Sequence, residues 1–216
     1  MTPTPPPALE DRGQTGARLS SPSAARNRDV IAETLAEILP ADAHVLEIAS
    51  GTGEHALACV SRRTDLTWQP SDPDAGSRAS IDAWGAEAGG RMPAALDLDV
   101  CRADWPGEIA GPVAAVFCAN MIHIAPWAAA EGLAEGSASL LGEGGLLILY
   151  GPFLEGEATA PSNLAFDASL KSRDPRWGVR SLGEVQTLAA CHGLILARRV
   201  AMPANNLILV FVKGLT

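Results

Sequence analysis

Val45-Leu46-Glu47-Ile48-Ala49-Ser50-Gly51-Thr52-Gly53-Glu54-His55 is the stretch from which the rest of the chain can be read. Val45, Leu46 and Ile48 form a short apolar run that reads as a buried strand; Gly51 and Gly53 mark a turn, and a helix follows. A carboxylate, Glu47, stands at the strand end. Glycines let a backbone approach a ligand closely and take dihedrals that a side chain forbids, while the helix directs its unpaired N–H groups to the same place. This is the layout of a site for a nucleotide-type ligand.

Gly51-Thr52-Gly53-Glu54-His55-Ala56 also satisfies G-x-G-x-x-G/A, the dinucleotide fingerprint, a pattern short enough to arise in any tight strand-to-helix turn. Glu47 separates the candidate ligands. A carboxylate repels an anionic pyrophosphate and attracts an amino group or a sulfonium. Ligand charge therefore favours S-adenosyl-L-methionine over NAD(P).

The 216 residues suffice for one domain with a sizeable core. Hydrophobic content is 47% and charged content 19%, and no window approaches the ~18 consecutive apolar residues of a membrane helix. The net charge is −9 and the 16 Lys and Arg residues are scattered, so the phosphate-neutralising patch of a nucleic-acid binder is missing. Cys59, Cys101, Cys118 and Cys191 form no C-x-x-C pair, and no signal peptide precedes them, which fits a reduced, cytoplasmic, soluble protein.

Residues 1–20, rich in proline and glycine, are expected to form a disordered or loosely attached arm, with a single domain over 21–216. A helix is expected from Ser23 to Leu39, stopped by Pro40. Strands are expected over Ala43 to Ile48, Leu66 to Trp68, Pro93 to Leu96, Val113 to Cys118 and Leu146 to Tyr150. Helices from Glu54, Ser77 and Pro126 alternate with them, which implies a parallel sheet with helices on both faces. Residues 154–180 read as a long irregular segment of the kind that covers a site. Ser181 and Glu184 open a further helix as a capping box, and Leu194 to Val200 with Leu207 to Val212 form a terminal antiparallel pair.

In open α/β sheets ligands sit at the carboxyl ends of the strands. There the sequence supplies Glu47 with its glycines, then Asp72 at a suitable distance to grip both ribose hydroxyls, then Asp97 and Leu98, then Asn120. Each alone also reads as a loop-capping polar residue; their recurrence at four consecutive strand ends points to a site.

Over roughly residues 25 to 214 the sequence resembles the class I S-adenosylmethionine-dependent methyltransferases, most nearly an uncharacterised DUF-type methyltransferase-like branch. The residues that carry this are Arg26-Asn27, Ala49 to His55, Trp68-Gln69-Pro70-Ser71-Asp72, Asn120 to Ile124, Tyr150-Gly151-Pro152-Phe153 and Arg173 to Gly178. The resemblance implies an α/β, Rossmann-like seven-stranded sheet, mostly parallel with an antiparallel last strand. It implies that Glu47 faces the methionine end of the cofactor, that Gly51 and Gly53 admit it, that Asp72 holds the ribose, that Asp97 and Leu98 frame the adenine, and that Asn120 lies near the methionine moiety. Asn27, Ala49, Ser50 and His55 complete the implied cofactor set. Ala49 stands where the superfamily has its first glycine.

Transfer of a sulfonium methyl requires positioning and no metal. A general base, where the acceptor needs one, would come from His123 or Tyr150, with His55 reading equally as a packed helix-start residue. Segment 154–180, the Asn205-Asn206 loop, Arg26 and Asn27 are the candidate acceptor pocket, with Trp177 as an anchor and Arg173 and Arg176 as solvated charges. The expected partner is a small-molecule methyl acceptor, with no nucleic acid and no membrane, and a homodimer is left open. The alternatives are an NAD(P)-dependent oxidoreductase and a non-catalytic cofactor-binding protein.

Overall fold

The computed structural model describes residues 12–214. The chain divides between Leu98 and Asp99 into two compact units.

In the first unit, β1 (Gly13–Thr15) and β2 (Arg18–Ser20) form an antiparallel hairpin in which Gly13 faces Ser20 and Thr15 faces Arg18. This part of the expected arm is ordered structure; residues 1–11 lie outside the described residues. Ser21 caps helix α1 (Pro22–Ile38) by accepting the Ala24 N–H, with Pro22 suited to the first turn, and α1 buries Ala24, Ile31, Ala32 and Leu35. Strand β3 (His44–Ile48) runs parallel to β4 (Thr67–Pro70), in register from His44 opposite Thr67 to Glu47 opposite Pro70. Helix α2 (Glu54–Arg62) follows the glycine turn, and α3 (Ala75–Gly85) starts on Asp74, whose carboxylate accepts the Ser77 N–H at 2.7 Å.

The strand expected over Pro93 to Leu96 shrinks to one bridge between Ser71 and Leu96. Pro93 has no N–H to give, and the Ala95 N–H goes to the Asp82 carboxylate at 2.8 Å, so the backbone groups that would have built a ladder are used elsewhere.

In the second unit the strand order is β5 (Val113–Ala119), β6 (Leu141–Pro152), β8 (Asn206–Lys213), β7 (Leu194–Met202). β5 and β6 are parallel, while β8 is antiparallel to both β6 and β7. The expected antiparallel last strand is present, inserted between its neighbours. Apart from the β1–β2 hairpin, these four and the parallel pair β3 and β4 make six sheet strands among the described residues, where seven were expected. Helix α4 (Trp127–Leu140) packs closely on the segment before β5: a Cβ on Gly132 would lie 2.0 Å from the Val100 carbonyl oxygen, and one on Gly136 2.1 Å from the Trp105 ring.

Segment 154–180 is not irregular throughout. It contains helix α5 (Pro161–Arg173), whose buried residues are Asn163 and Leu170, and α6 (Leu182–Cys191) begins on Ser181 as the capping box required. Among the described residues no helix is long and apolar enough to cross a membrane.

Candidate functional site

The turn after β3 holds three residues with positive φ within five positions: Ala49 at 55°, Gly51 at 62° and Gly53 at 93°. A non-glycine in this region is held there by its surroundings, and here serines fasten the backbone. Ser50 N–H donates to Ser71 O at 2.8 Å, Ser71 N–H to Ser50 Oγ at 3.2 Å, and Ser71 Oγ to Glu47 O at 2.7 Å. The Ser50 side chain is therefore turned inward, binding the two strand ends together.

The glycines differ in purpose. A Cβ on Gly51 would meet nothing within 4 Å, so the backbone there faces open space. One on Gly53 would fall 2.8 Å from Ile81 Cα, so this glycine lets α3 pack against the turn.

Asp72 ends the β4 side. Its Oδ2 accepts the Gly51 N–H at 3.0 Å and its Oδ1 the Asp74 N–H at 2.9 Å. Burial raises its pKa above the usual carboxylate value, and the two backbone donors oppose that rise. Because each carboxylate oxygen offers more than one lone pair, capacity for further donors remains.

Glu47 lies deeper than expected for a ligand contact, at 1% exposure. Trp68 Nε1 donates to its Oε2 at 3.0 Å, and desolvation, opposed by the Trp68 and Ser50 hydrogen bonds, pushes its pKa up to about 7. It acts from beneath the turn as a group whose ionisation a nearby cation would favour. His55 Nε2 lies 2.8 Å from Asn27 Oδ1, which joins α1 to α2. Desolvation, then the Arg28 charge, brings His55 down to about 4, so the ring is neutral at pH 7.

Asp97 and Leu98 part company. The Asp97 side chain is 70% exposed and pairs with Arg78 at 3.1 Å, whereas Leu98 is buried.

Three candidates belong to the second unit. Asn120 follows β5 with φ 61° and its N–H donates to Tyr150 O at 2.8 Å. His123 is fully buried; its Nδ1 accepts the Arg180 N–H at 3.2 Å and its carbonyl the Gly178 N–H at 2.9 Å. Desolvation, then the Arg180 charge, lowers its pKa to about 3. Its Nε2 has no hydrogen-bond partner among the described residues and faces Gly151, where a Cβ would come within 2.6 Å. A neutral imidazole engaged in this way ties residues 178–180 to the chain that follows β5. Tyr150 is likewise buried. Trp177 is buried as an anchor would be, and Arg176 pairs with Asp174 in solvent. The start of α5 meets the β7–β8 loop through Asn163 Nδ2 to Asn205 O at 3.0 Å and Asn205 Nδ2 to Ser162 Oγ at 2.9 Å.

Glu54 carries more of this site than its place in the motif suggested. Its buried carboxylate takes Arg28 on Oε1 at 2.9 Å and the Thr52 hydroxyl on Oε2 at 3.0 Å. An acidic residue at the first helical position beside Thr52 is the available sequence signal.

A family model described as a protein of unknown function, DUF938, matches residues 18–213. The chain belongs to the DUF938 family. Its fold is similar to an O-methyltransferase family protein from Burkholderia thailandensis, at a TM-score of 0.74 and 17% identity over 89% of this chain and 56% of that one. It is also similar to the S-adenosylmethionine-dependent methyltransferase SibL, at 0.73 and 16% over 89% and 56%, and to the mitomycin 7-O-methyltransferase MmcR, at 0.74 and 15% over 89% and 54%. The DUF938 chain thus spans little more than half the length of these structures and shares the methyltransferase α/β fold with them.

Proposed function

We propose that this DUF938 protein is a cytoplasmic S-adenosylmethionine-dependent methyltransferase acting on a small-molecule acceptor. The observation that carries the reading is the open face of Gly51 beside the Asp72 carboxylate, at adjacent parallel strand ends. The adenosine would lie against the Gly51 backbone with its ribose hydroxyls donating to Asp72. Asn27, Ala49, Ser50, Gly53 and His55 shape and fix that surface, and Glu47 supplies a buried carboxyl beneath it whose ionised form a bound sulfonium would favour. Once bound, the cofactor supplies a methyl group already activated by its sulfonium. The protein's contribution is then in-line positioning and exclusion of water, which suits a site whose histidine, His55, is neutral and held by Asn27. The net charge of −9 favours small acceptors over nucleic acid.

Calorimetric titration tests the reading. S-adenosylhomocysteine should bind at micromolar concentration while NAD(H) gives no heat. Binding of NAD(H) alone would return the glycine pattern to dinucleotide chemistry, and no binding of S-adenosylhomocysteine at millimolar concentration would end the proposal.

A further inference from the structure

We propose that the β1–β2 hairpin is a positioning element of the ligand site, holding the turn Gly51–Gly53 in its binding shape through Ser80 and Glu54. The proposal rests on the reading of that turn as the cofactor site.

Three residues per strand cannot hold a hairpin together alone, and this one is held by α3. The Arg18 guanidinium stacks over Trp84 at 4.7 Å, donates to Ala83 O at 3.1 Å and pairs with Glu87 at 2.5 Å. Trp84 Nε1 donates to Leu19 O at 2.9 Å.

From this anchor two relays of buried polar groups reach the turn. In the first, Leu19 N–H donates to Ser80 Oγ at 2.8 Å, and the same hydroxyl gives its proton to Thr52 O at 2.8 Å. In the second, Ser21 N–H donates to Glu54 Oε2 at 2.8 Å, the oxygen that also accepts the Thr52 hydroxyl. Thr52, between the two glycines, is therefore addressed at its carbonyl from Leu19 in the middle of β2 and at its side chain from Ser21, the residue that follows β2.

Ser80, Glu54 and Thr52 are 0%, 3% and 6% exposed. Burying polar groups is unfavourable unless each is paired, and apolar residues could have filled the same space. Pairing all of them onto Thr52 fixes the carbonyl and hydroxyl directions of a turn in which Ala49, Gly51 and Gly53 all have positive φ. Hairpin order and ligand affinity are then linked, and the linkage is reciprocal.

The test uses the full chain and S-adenosylhomocysteine. Amide hydrogen exchange on the unaltered protein should show Leu19 and Ser21 protected at least about fivefold on adding the ligand. Arg18→Ala, which touches neither turn nor ligand, should weaken affinity by a similar factor in protein shown by circular dichroism to be folded, and Arg18→Lys should restore part of it. Ligand bound with unchanged exchange at Leu19 and Ser21, or with equal affinity in Arg18→Ala, overturns the hairpin's role while leaving the cofactor reading intact. Failure of the unaltered protein to bind S-adenosylhomocysteine overturns both.

Discussion

Single residues in the glycine turn have separable roles that substitution can expose. Ala49 sits at φ 55°, where an L-residue costs about 1–2 kcal/mol. Ala49→Gly should therefore raise stability by roughly 1 kcal/mol in urea titration, part of the gain being offset by the looser unfolded chain. Gly51→Ala adds a methyl to open space, so it should cost about 1 kcal/mol of folding through its φ and weaken S-adenosylhomocysteine binding. Gly53→Ala drives a methyl into the α3 backbone at Ile81 and should cost about 2–3 kcal/mol of stability. Calorimetry and urea titration on both variants would separate the two roles, and equal losses in both assays would refute the division. The sequence identified these glycines and Asp72 as turn and carboxylate. It did not tell which glycine faced solvent, because one G-x-G spacing serves both close approach to a ligand and close packing of a helix.

At the level of elements, the strand and helix alternation from Ser23 to Gly85 was legible because apolar periods and stops agree along that stretch. The misreadings have local causes. Pro93 to Leu96 looked like a strand on composition, but its backbone is taken up by Asp82 and by the single Ser71–Leu96 bridge. Helix α5 buries little apart from Asn163 and Leu170, so it lacks the apolar stripe by which helices are recognised; Pro161 at its first position was the remaining signal. The β1–β2 hairpin was hidden because its partner, α3, is distant in sequence, and Arg18 and Leu19 find it only in the fold. Helix α4 offers a test of close packing. An alanine in a helix gains up to about 1 kcal/mol over glycine, yet at Gly136 the methyl would meet the Trp105 ring at 2.1 Å. Overpacking of about 1–3 kcal/mol outweighs the gain, so Gly136→Ala should be destabilising by about 1–2 kcal/mol. Gly85→Ala in α3, where the nearest atoms lie 3.6 Å away, should be neutral or stabilising by thermal unfolding.

For the molecule as a whole, buried titratable groups set the response to pH. His55 at about 4 and His123 at about 3 are depressed from 6.5, so the stability they confer is present above pH 6.5 and is lost as pH falls toward their folded values. Glu47, raised from 4.5 to about 7, acts in the opposite sense: its contribution is complete below pH 4.5 and is lost as pH rises through 7. Two histidines outweigh one carboxyl, so the urea midpoint should fall between pH 7.5 and pH 5. Glu47→Gln should fall more steeply over the same interval, because it removes an opposing contribution of roughly 3 kcal/mol, the free-energy equivalent of the distance between the folded and unfolded pKa values. A shallower fall in Glu47→Gln would contradict the raised pKa.

Everything proposed for this protein depends on the Gly51 backbone and the Asp72 carboxylate together receiving an adenosine. A crystal structure with S-adenosylhomocysteine tests this most directly. The ribose hydroxyls should donate to Asp72 and the ligand should lie against Gly51, and Asp72→Ala should weaken binding by roughly 1.5–3 kcal/mol, the scale of hydrogen bonds to a charged group. A ligand bound elsewhere, with Asp72 contacting only the Gly51 and Asp74 N–H groups, would contradict it.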